Sequence, residues 1–319
     1  MRLGCKSSDH EPATSLSGKK RCQAFGKGCG SDLAQLRHSS YATISFQASW
    51  AGCRHVRARL FHPYPNETSM TPQFWLWLGF AGMAAGAAAI LFMAKRRTPA
   101  EEADGIIHGI VPIIAACSYF AMATGQGSLI LPAGPDAAEA ARQFYFARYI
   151  DWTFTTPLLL VGLSRTAMHS GMRRPAVVWG LIGSDLIMIV TALAFGLSDV
   201  AAVKWTWFAI SCGAFLGVFY GIFVQLREEN ASERADVRKA FVRNAVFLTG
   251  VWSAYPIVLL VGQDGLGILS PTAALAVIAI LDLTAKVVYG IMATLDTTRA
   301  VDRDLKDGSV AAKPLRRAA

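Results

Sequence analysis

The chain has 319 residues, of which 53% are hydrophobic and 17% charged, and it carries a net charge of +9. An ordinary soluble domain has about 25% charged residues, so this balance excludes a typical soluble enzyme and fits a chain that lives in a bilayer. Nor does the positive charge argue for a nucleic-acid partner, because ten of the 31 basic residues but only four of the 22 acidic ones lie in residues 1–69.

Residues 1–69 form a basic extension that does not conform to the rest. It is rich in Arg, Ser, Gly and Cys, without periodicity or an apolar stretch long enough for a signal peptide. Met70 stands directly before "TPQFWLWLGF", where the first apolar run begins. The favoured expectation is that Met70 is the true start; a processed or disordered extension is the alternative. Four of the six cysteines fall in this extension, while Cys117 and Cys212 stand singly in apolar runs. No Cys/His spacing resembles a metal site.

From Met70 the chain offers seven apolar runs, at about 73–94, 105–125, 142–164, 175–196, 202–225, 237–262 and 272–296. Each is long enough to cross a hydrocarbon core, which needs about 20 residues of helix. Basic residues sort by linker parity. Lys95, Arg96 and Arg97 occupy the first linker, Arg165, Arg173 and Arg174 the third, and Arg227, Arg234, Arg238, Lys239 and Arg243 the fifth. The tail adds Arg299, Arg303, Lys306, Lys313, Arg316 and Arg317. The alternate linkers, "GQGSLILPAGPDAAEA", "GLSDVAAV" and "GQDGLGILSP", have no Lys or Arg, although Arg142 and Lys204 stand at helix edges beside them. By the positive-inside rule this predicts an all-α membrane protein, a seven-transmembrane helix bundle with its N-terminus outside and its C-terminus cytoplasmic. Residues 70–298 would be the bundle and 299–319 a basic cytoplasmic tail.

Two runs carry charges that lipid penalises. Arg148, Asp151 and Thr155 share one stripe of the third helix at i, i+3, i+7, and Asp282 and Lys286 are one turn apart on the seventh. An Asp, Lys or Arg at mid-membrane costs about 2.5–3.5 kcal/mol on insertion scales, so these residues are expected to face inward and meet one another. Thr155 is placed to hydrogen-bond the Asp151 carboxylate. Asp185, on the fourth helix, reads as a structural carboxyl with Thr156 as its partner. A buried lysine is a suitable amine for a Schiff base with a carbonyl ligand, and nearby carboxylates can take its proton. The residues themselves point to a lysine–carboxylate relay and do not name the ligand.

Between Met70 and about residue 296 the chain resembles the microbial rhodopsins, on the stretches "ARYIDWTFTTPLLL", "VWSAYP" and "LDLTAK". The resemblance implies all-trans retinal bound covalently as a Schiff base to Lys286. Asp151 would be primary counterion and proton acceptor, Asp282 the second counterion, and Arg148 a gate on the outward side of Asp151. The retinal pocket would hold Trp152, Thr156, Leu159, Asp185, Met188, Trp252, Tyr255 and Pro256, with Tyr149 nearby; Tyr119 and Tyr145 also match family positions. Leucine at 159 goes with green absorption in related pumps.

Position 162, eleven residues after Asp151 and about 16.5 Å along nearly the same helix face, is where well-known proton pumps place a carboxyl donor. Here it is Gly162, so the motif reads Asp151, Thr155, Gly162. Asp151 argues against chloride pumping, the missing Asn-Asp-Gln triplet against sodium, and Asp282 against inward proton pumping. The resemblance thus implies a light-driven outward proton pump, not an enzyme, in the cell inner membrane. Its partners would be retinal, the lipid bilayer, protons and further copies of the chain in a homo-oligomer. His108, near the start of the second helix, is a candidate to assist reprotonation, since histidine titrates near neutrality. Asp264 lies near one of two acidic release positions of the family and Ala274 at the other, implying late proton release. The rival reading is a sensory photoreceptor signalling to a membrane transducer; Ala285, where one class of sensors has a threonine, leans against it.

Overall fold

The computed structural model describes residues 71–132 and 141–311. The extension at 1–69 and residues 312–319 of the tail lie outside the described residues.

Seven long helices run through the described residues: α1 Pro72–Met93, α2 Pro99–Ala123, α3 Phe146–Ala167, α4 Pro175–Leu197, α5 Ala201–Asn230, α6 Ala235–Val261 and α7 Pro271–Lys306. Several begin on a recognisable start signal. Thr71, Thr98 and Ser270 each cap a helix, the side-chain oxygen accepting from the backbone N–H three residues on, and each is followed by a proline whose missing N–H costs nothing there. α5 and α7 each contain a π-helical segment, Gly221–Leu226 and Thr284–Val288. The second contains Lys286, and such segments frequently mark functional positions.

Six of the helices are long and apolar enough to cross a membrane by composition; α3 is the seventh, and it carries Arg148, Asp151, Thr153, Thr155 and Thr156. Burial is inverted relative to a water-soluble protein. Phe92, Trp179 and Leu216 face outward at 92%, 71% and 65% exposure, while Asp151, Asp282 and Lys286 are at most 2% exposed. Lipid rather than water is the solvent that suits such a surface.

Besides an earlier start of α2 at Pro99 and a later end of α5 at Asn230, two boundaries differ from the apolar runs in ways that bear on the site. Residues 142–144 do not open the third helix. They form β2 (Arg142–Phe144), paired antiparallel with β1 (Leu129–Leu131) in the register Leu129 with Phe144, Ile130 with Gln143 and Leu131 with Arg142. The alternation explains the change: Arg142 and Phe144 point inward and Gln143 outward, the period of a strand. At the other end of the molecule, α7 continues ten residues past the expected 296 to Lys306, held by ion pairs between Asp302 and Arg97 (2.5 Å) and between Asp304 and Arg234 (2.6 Å). The hairpin and the basic linkers thus mark opposite ends of the bundle, the hairpin end and the basic end.

Candidate functional site

The centre of the site is Lys286. Its Nζ donates to Asp151 Oδ2 and to Asp282 Oδ1, both at 2.8 Å. The second contact follows from i, i+4 spacing along α7; the first requires α3 to present Asp151 at the same depth. The two carboxylates are served unequally. Asp282 also accepts from Tyr119 (2.8 Å) on Oδ2, and from Trp152 Nε1 (3.1 Å) and Tyr255 (2.9 Å) on Oδ1. Asp151 has Lys286 on one oxygen, and its Oδ1 has no hydrogen-bond partner. Asp282 therefore has a donor on both oxygens, and Asp151 has an oxygen without one, on which a proton can sit.

Tyr119 reaches Asp282 because Gly79 lets it. A Cβ at Gly79 would sit inside the contact distance of the Tyr119 ring, so the ring packs directly on the α1 backbone. The Thr155 hydroxyl donates to the main-chain carbonyl of Asp151 at 2.8 Å and also stands beside its carboxyl. The i−4 carbonyl is a fixed acceptor for a helical threonine. The Thr156 hydroxyl lies 2.6 Å from Asp185 Oδ2 and 2.7 Å from the Trp152 carbonyl.

Beside Lys286 lies an apolar cavity. Trp152, Thr156, Leu159, Met188, Trp252, Tyr255 and Pro256 line it, with Lys286 and Asp282 on its wall. Asp185 is not among its lining residues and stands behind Thr156. Reading the sequence missed the contribution of α5, where Phe208, Ser211, Cys212 and Phe215 complete the wall. The signal was there, since these four are spaced i, i+3, i+4, i+7. Ile189, Ala192, Phe195, Leu259 and Ala285 were missed too; singly they are indistinguishable from helix packing.

Toward the hairpin end a second cavity is lined by Arg148, Tyr145, Tyr149, Asp264 and Ala274 among others. The Arg148 guanidinium lies 5.6 Å from the centre of the Tyr145 ring, and its Nε has no hydrogen-bond partner. Arg142 crosses from β2 to donate to Asp264 at 2.6 Å and to the Gly196 carbonyl at 2.9 Å. Burial pushes the Asp264 carboxyl above its ordinary range, and the cations Arg142, Arg148 and Lys204 offset only part of that shift. Tyr149 is stacked on Phe144 and meets Trp152 edge-on, at ring separations of 5.5 and 5.3 Å.

Toward the basic end His108 and Gly162 meet. A Cβ built on Gly162 would lie 2.9 Å from both Cε1 and Nε2 of His108, so the imidazole fills the space that a side chain at 162 would need. Nδ1–H of His108 donates to the Asp104 carbonyl at 2.9 Å, which fixes the tautomer and leaves the Nε2 lone pair at the Gly162 side without a partner. The Tyr289 ring, one turn along α7 from Lys286, is 5.8 Å from the imidazole.

A model of the family described as "Bacteriorhodopsin-like protein" matches residues 70–299. The chain belongs to the bacteriorhodopsin-like family. It is 37% identical over 234 residues to the bacteriorhodopsin of Haloterrigena sp. (strain arg-4), covering 72% of this chain and 89% of that relative. Among solved structures it resembles a thermophilic rhodopsin from Rubrobacter xylanophilus, with TM-score 0.67 and 35% identity over 73% of this chain and 98% of that one. A light-driven proton pump from Coccomyxa subellipsoidea superposes with TM-score 0.64 at 32% identity, covering 70% and 96% respectively.

Members of this family are multi-pass membrane proteins, light-driven pumps or photoreceptors rather than enzymes, and they hold retinal as a Schiff base on a lysine. The residues of this chain fit that group. The cavity is apolar and walled by aromatic rings, and Lys286 is the lysine that stands on it.

Proposed function

We propose that this chain is a light-driven outward proton pump working through Lys286, Asp151 and His108, with its basic end in the cytoplasm. The observation that carries the reading is the unequal service of the two carboxylates on Lys286 Nζ. Retinal, when bound to Lys286, supplies the light-driven isomerisation. Nζ then keeps a single proton to share between two carboxylates. Asp282, held by Tyr119, Trp152 and Tyr255, stays in place as the fixed negative charge. Asp151, with its free Oδ1, receives the proton.

On the outward side Arg148, one turn from Asp151 on α3, lines the cavity that holds Asp264. Asp264 is tied to Arg142 and has Ala274, not a second carboxyl, across the cavity, which supports late rather than early release. On the inward side Gly162 offers no carboxyl, and Nε2 of His108 occupies the gap. Nδ1 is committed to the Asp104 carbonyl, so a proton from the cytoplasm is taken up and passed on at Nε2. The sorting of basic residues to one end supports the orientation.

The experiment is the pH of an unbuffered suspension of cells expressing the full chain with all-trans retinal, under green light. Acidification abolished by a protonophore supports the pump. A coloured protein without a light-driven pH change would overturn it in favour of a photoreceptor. Replacing His108 with Ala should slow return of the proton to Nζ; unchanged decay of the deprotonated state across pH would remove His108 from the scheme.

A further inference from the structure

The basic end holds an ion pair that neither the relay nor the packing of the retinal cavity requires. Asp104 lies one turn from His108 on α2 and is 5% exposed. Its Oδ1 is held by Arg165 Nε, from α3, and its Oδ2 accepts from the Thr297 hydroxyl, from α7, at 3.1 Å. Arg165 also donates to the Ala100 carbonyl at 3.0 Å, which ties α3 to the first turn of α2. Three helices therefore close over one carboxylate, directly on the solvent side of the imidazole.

Three charged or titratable groups lie around His108: Asp104 on its own helix, Arg165 on α3 and Tyr289 on α7. From α1 the neighbours of this stretch of α2 are Leu91 and Ala94, which are apolar. While Arg165 is bound to Asp104, the guanidinium offsets part of the pull of the carboxylate on the imidazole. If α3 and α2 part, the carboxylate remains one turn from His108 and the guanidinium leaves.

We propose that Arg165 is a latch on Asp104, and that the freed Asp104 carboxylate draws the incoming proton onto His108 Nε2. Asp104 and Arg165 are positioning residues in this scheme, acting through the imidazole. No bond other than the N–H changes: a proton from cytoplasmic water binds Nε2, the imidazolium is held by Asp104, and the same proton moves inward toward Lys286. The latch ties uptake to the separation of the helices, so that with the pair closed the cytoplasm is not connected to Nζ.

This inference rests on the reading of His108 as the uptake group, and the test separates the two. The variants are Asp104→Asn, Arg165→Gln and His108→Ala in the full chain, each checked for the visible absorption band of a folded, retinal-loaded protein. Decay of the deprotonated Nζ state after a flash is one readout. The other is the pH titration of the His108 imidazole signal by NMR in the dark, with and without retinal.

Asp104→Asn should slow the decay roughly tenfold and move the imidazole titration to lower pH, since one pH unit is a tenfold change in protonated fraction. Arg165→Gln should speed the decay severalfold and move the titration to higher pH. Both substitutions break the same ion pair, so a purely structural contact predicts the same sign in both. Equal signs, or no change in either, would overturn the latch. Should Arg165→Gln fail to give a coloured protein, Thr297→Val, which frees Oδ2 without removing a charge, should shift both readouts the same way as Arg165→Gln but less; no shift would count against the latch. If His108→Ala leaves decay unchanged, the underlying reading falls; if it slows decay while the two charge variants share a sign, the latch alone falls.

Discussion

Gly162 and His108 form a pair that a double-mutant cycle can weigh. In Gly162→Ala the new Cβ would stand 2.9 Å from Cε1 and Nε2 of the imidazole. Optimal carbon contacts are at about 3.5–4.0 Å, so the ring must retreat by about 0.6–1 Å. It is poorly placed to do so, since Nδ1 is bonded to the Asp104 carbonyl and the Tyr289 ring lies on α7 nearby. Overpacking of this kind costs about 1–3 kcal/mol. Against this, Gly→Ala in the middle of a helix contributes about 0.5–1 kcal/mol of stability, so the net effect in the intact protein is a loss of up to about 2.5 kcal/mol. In a His108→Ala background the clash is gone and only the helix term remains, so the same substitution should stabilise by about 0.5–1 kcal/mol. The sign of one mutation should reverse with the other, and the coupling energy should be about 1–3 kcal/mol. Reversible unfolding of the four variants in mixed micelles with rising SDS measures it. Additive effects, with Gly162→Ala equally costly in both backgrounds, would refute the packing of the imidazole into the glycine gap, and with it the claim that Nε2 stands where a donor carboxyl would.

Asp151→Asn should abolish light-driven acidification and leave the proton on Nζ, seen as the loss of the deprotonated intermediate in time-resolved absorption, because Asp282 already has a donor on both oxygens. Asp185→Asn keeps an oxygen beside the Thr156 hydroxyl and should change unfolding stability by less than about 1 kcal/mol, whereas Asp185→Leu removes the bond between the two side chains while the hydroxyl keeps the Trp152 carbonyl, and should cost about 0.5–1.5 kcal/mol. Glu233 lies in the link between α5 and α6. Burial would raise its carboxyl, but hydrogen bonds from Ser170 and Arg173 outweigh it and hold the group below its ordinary value of 4.5. A depressed folded value means stability that is present above the unfolded value and is lost as pH falls through the folded one. Glu233→Gln should therefore lower unfolding stability at pH 7 and have a diminishing effect as the pH is taken down through 4.5 and below; an equal loss at both ends would show the contact to be uncharged in its effect.

The sequence by itself determined the solvent, the number of crossings and the charged residues that must turn inward. Each follows from a one-dimensional rule. Apolar run length is set by bilayer thickness, and i, i+3, i+4 spacing puts Arg148, Asp151 and Thr155 on one stripe and Asp282 beside Lys286. A charge in lipid is costly enough to have one acceptable destination. Local pattern could also have exposed the α5 wall of the cavity. What only the tertiary structure decided is which partner each inward group takes. Asp282 gathers donors from α2, α3, α6 and α7 while Asp151 keeps an oxygen free, and this difference between two aspartates depends on the rotation and depth of four helices. The Thr155 hydroxyl found the main-chain carbonyl of Asp151 as its best-placed acceptor. Arg142 left the expected helix for a strand and met Asp264, 122 residues away. His108 reached Gly162, and Asp104 reached Arg165 and Thr297, across 61 and 193 residues. Spacing along a helix fixes an angle about its axis, but the meeting of two helices adds a relative rotation, a shift and a crossing angle set by the packing of all seven, and no local pattern carries those three quantities.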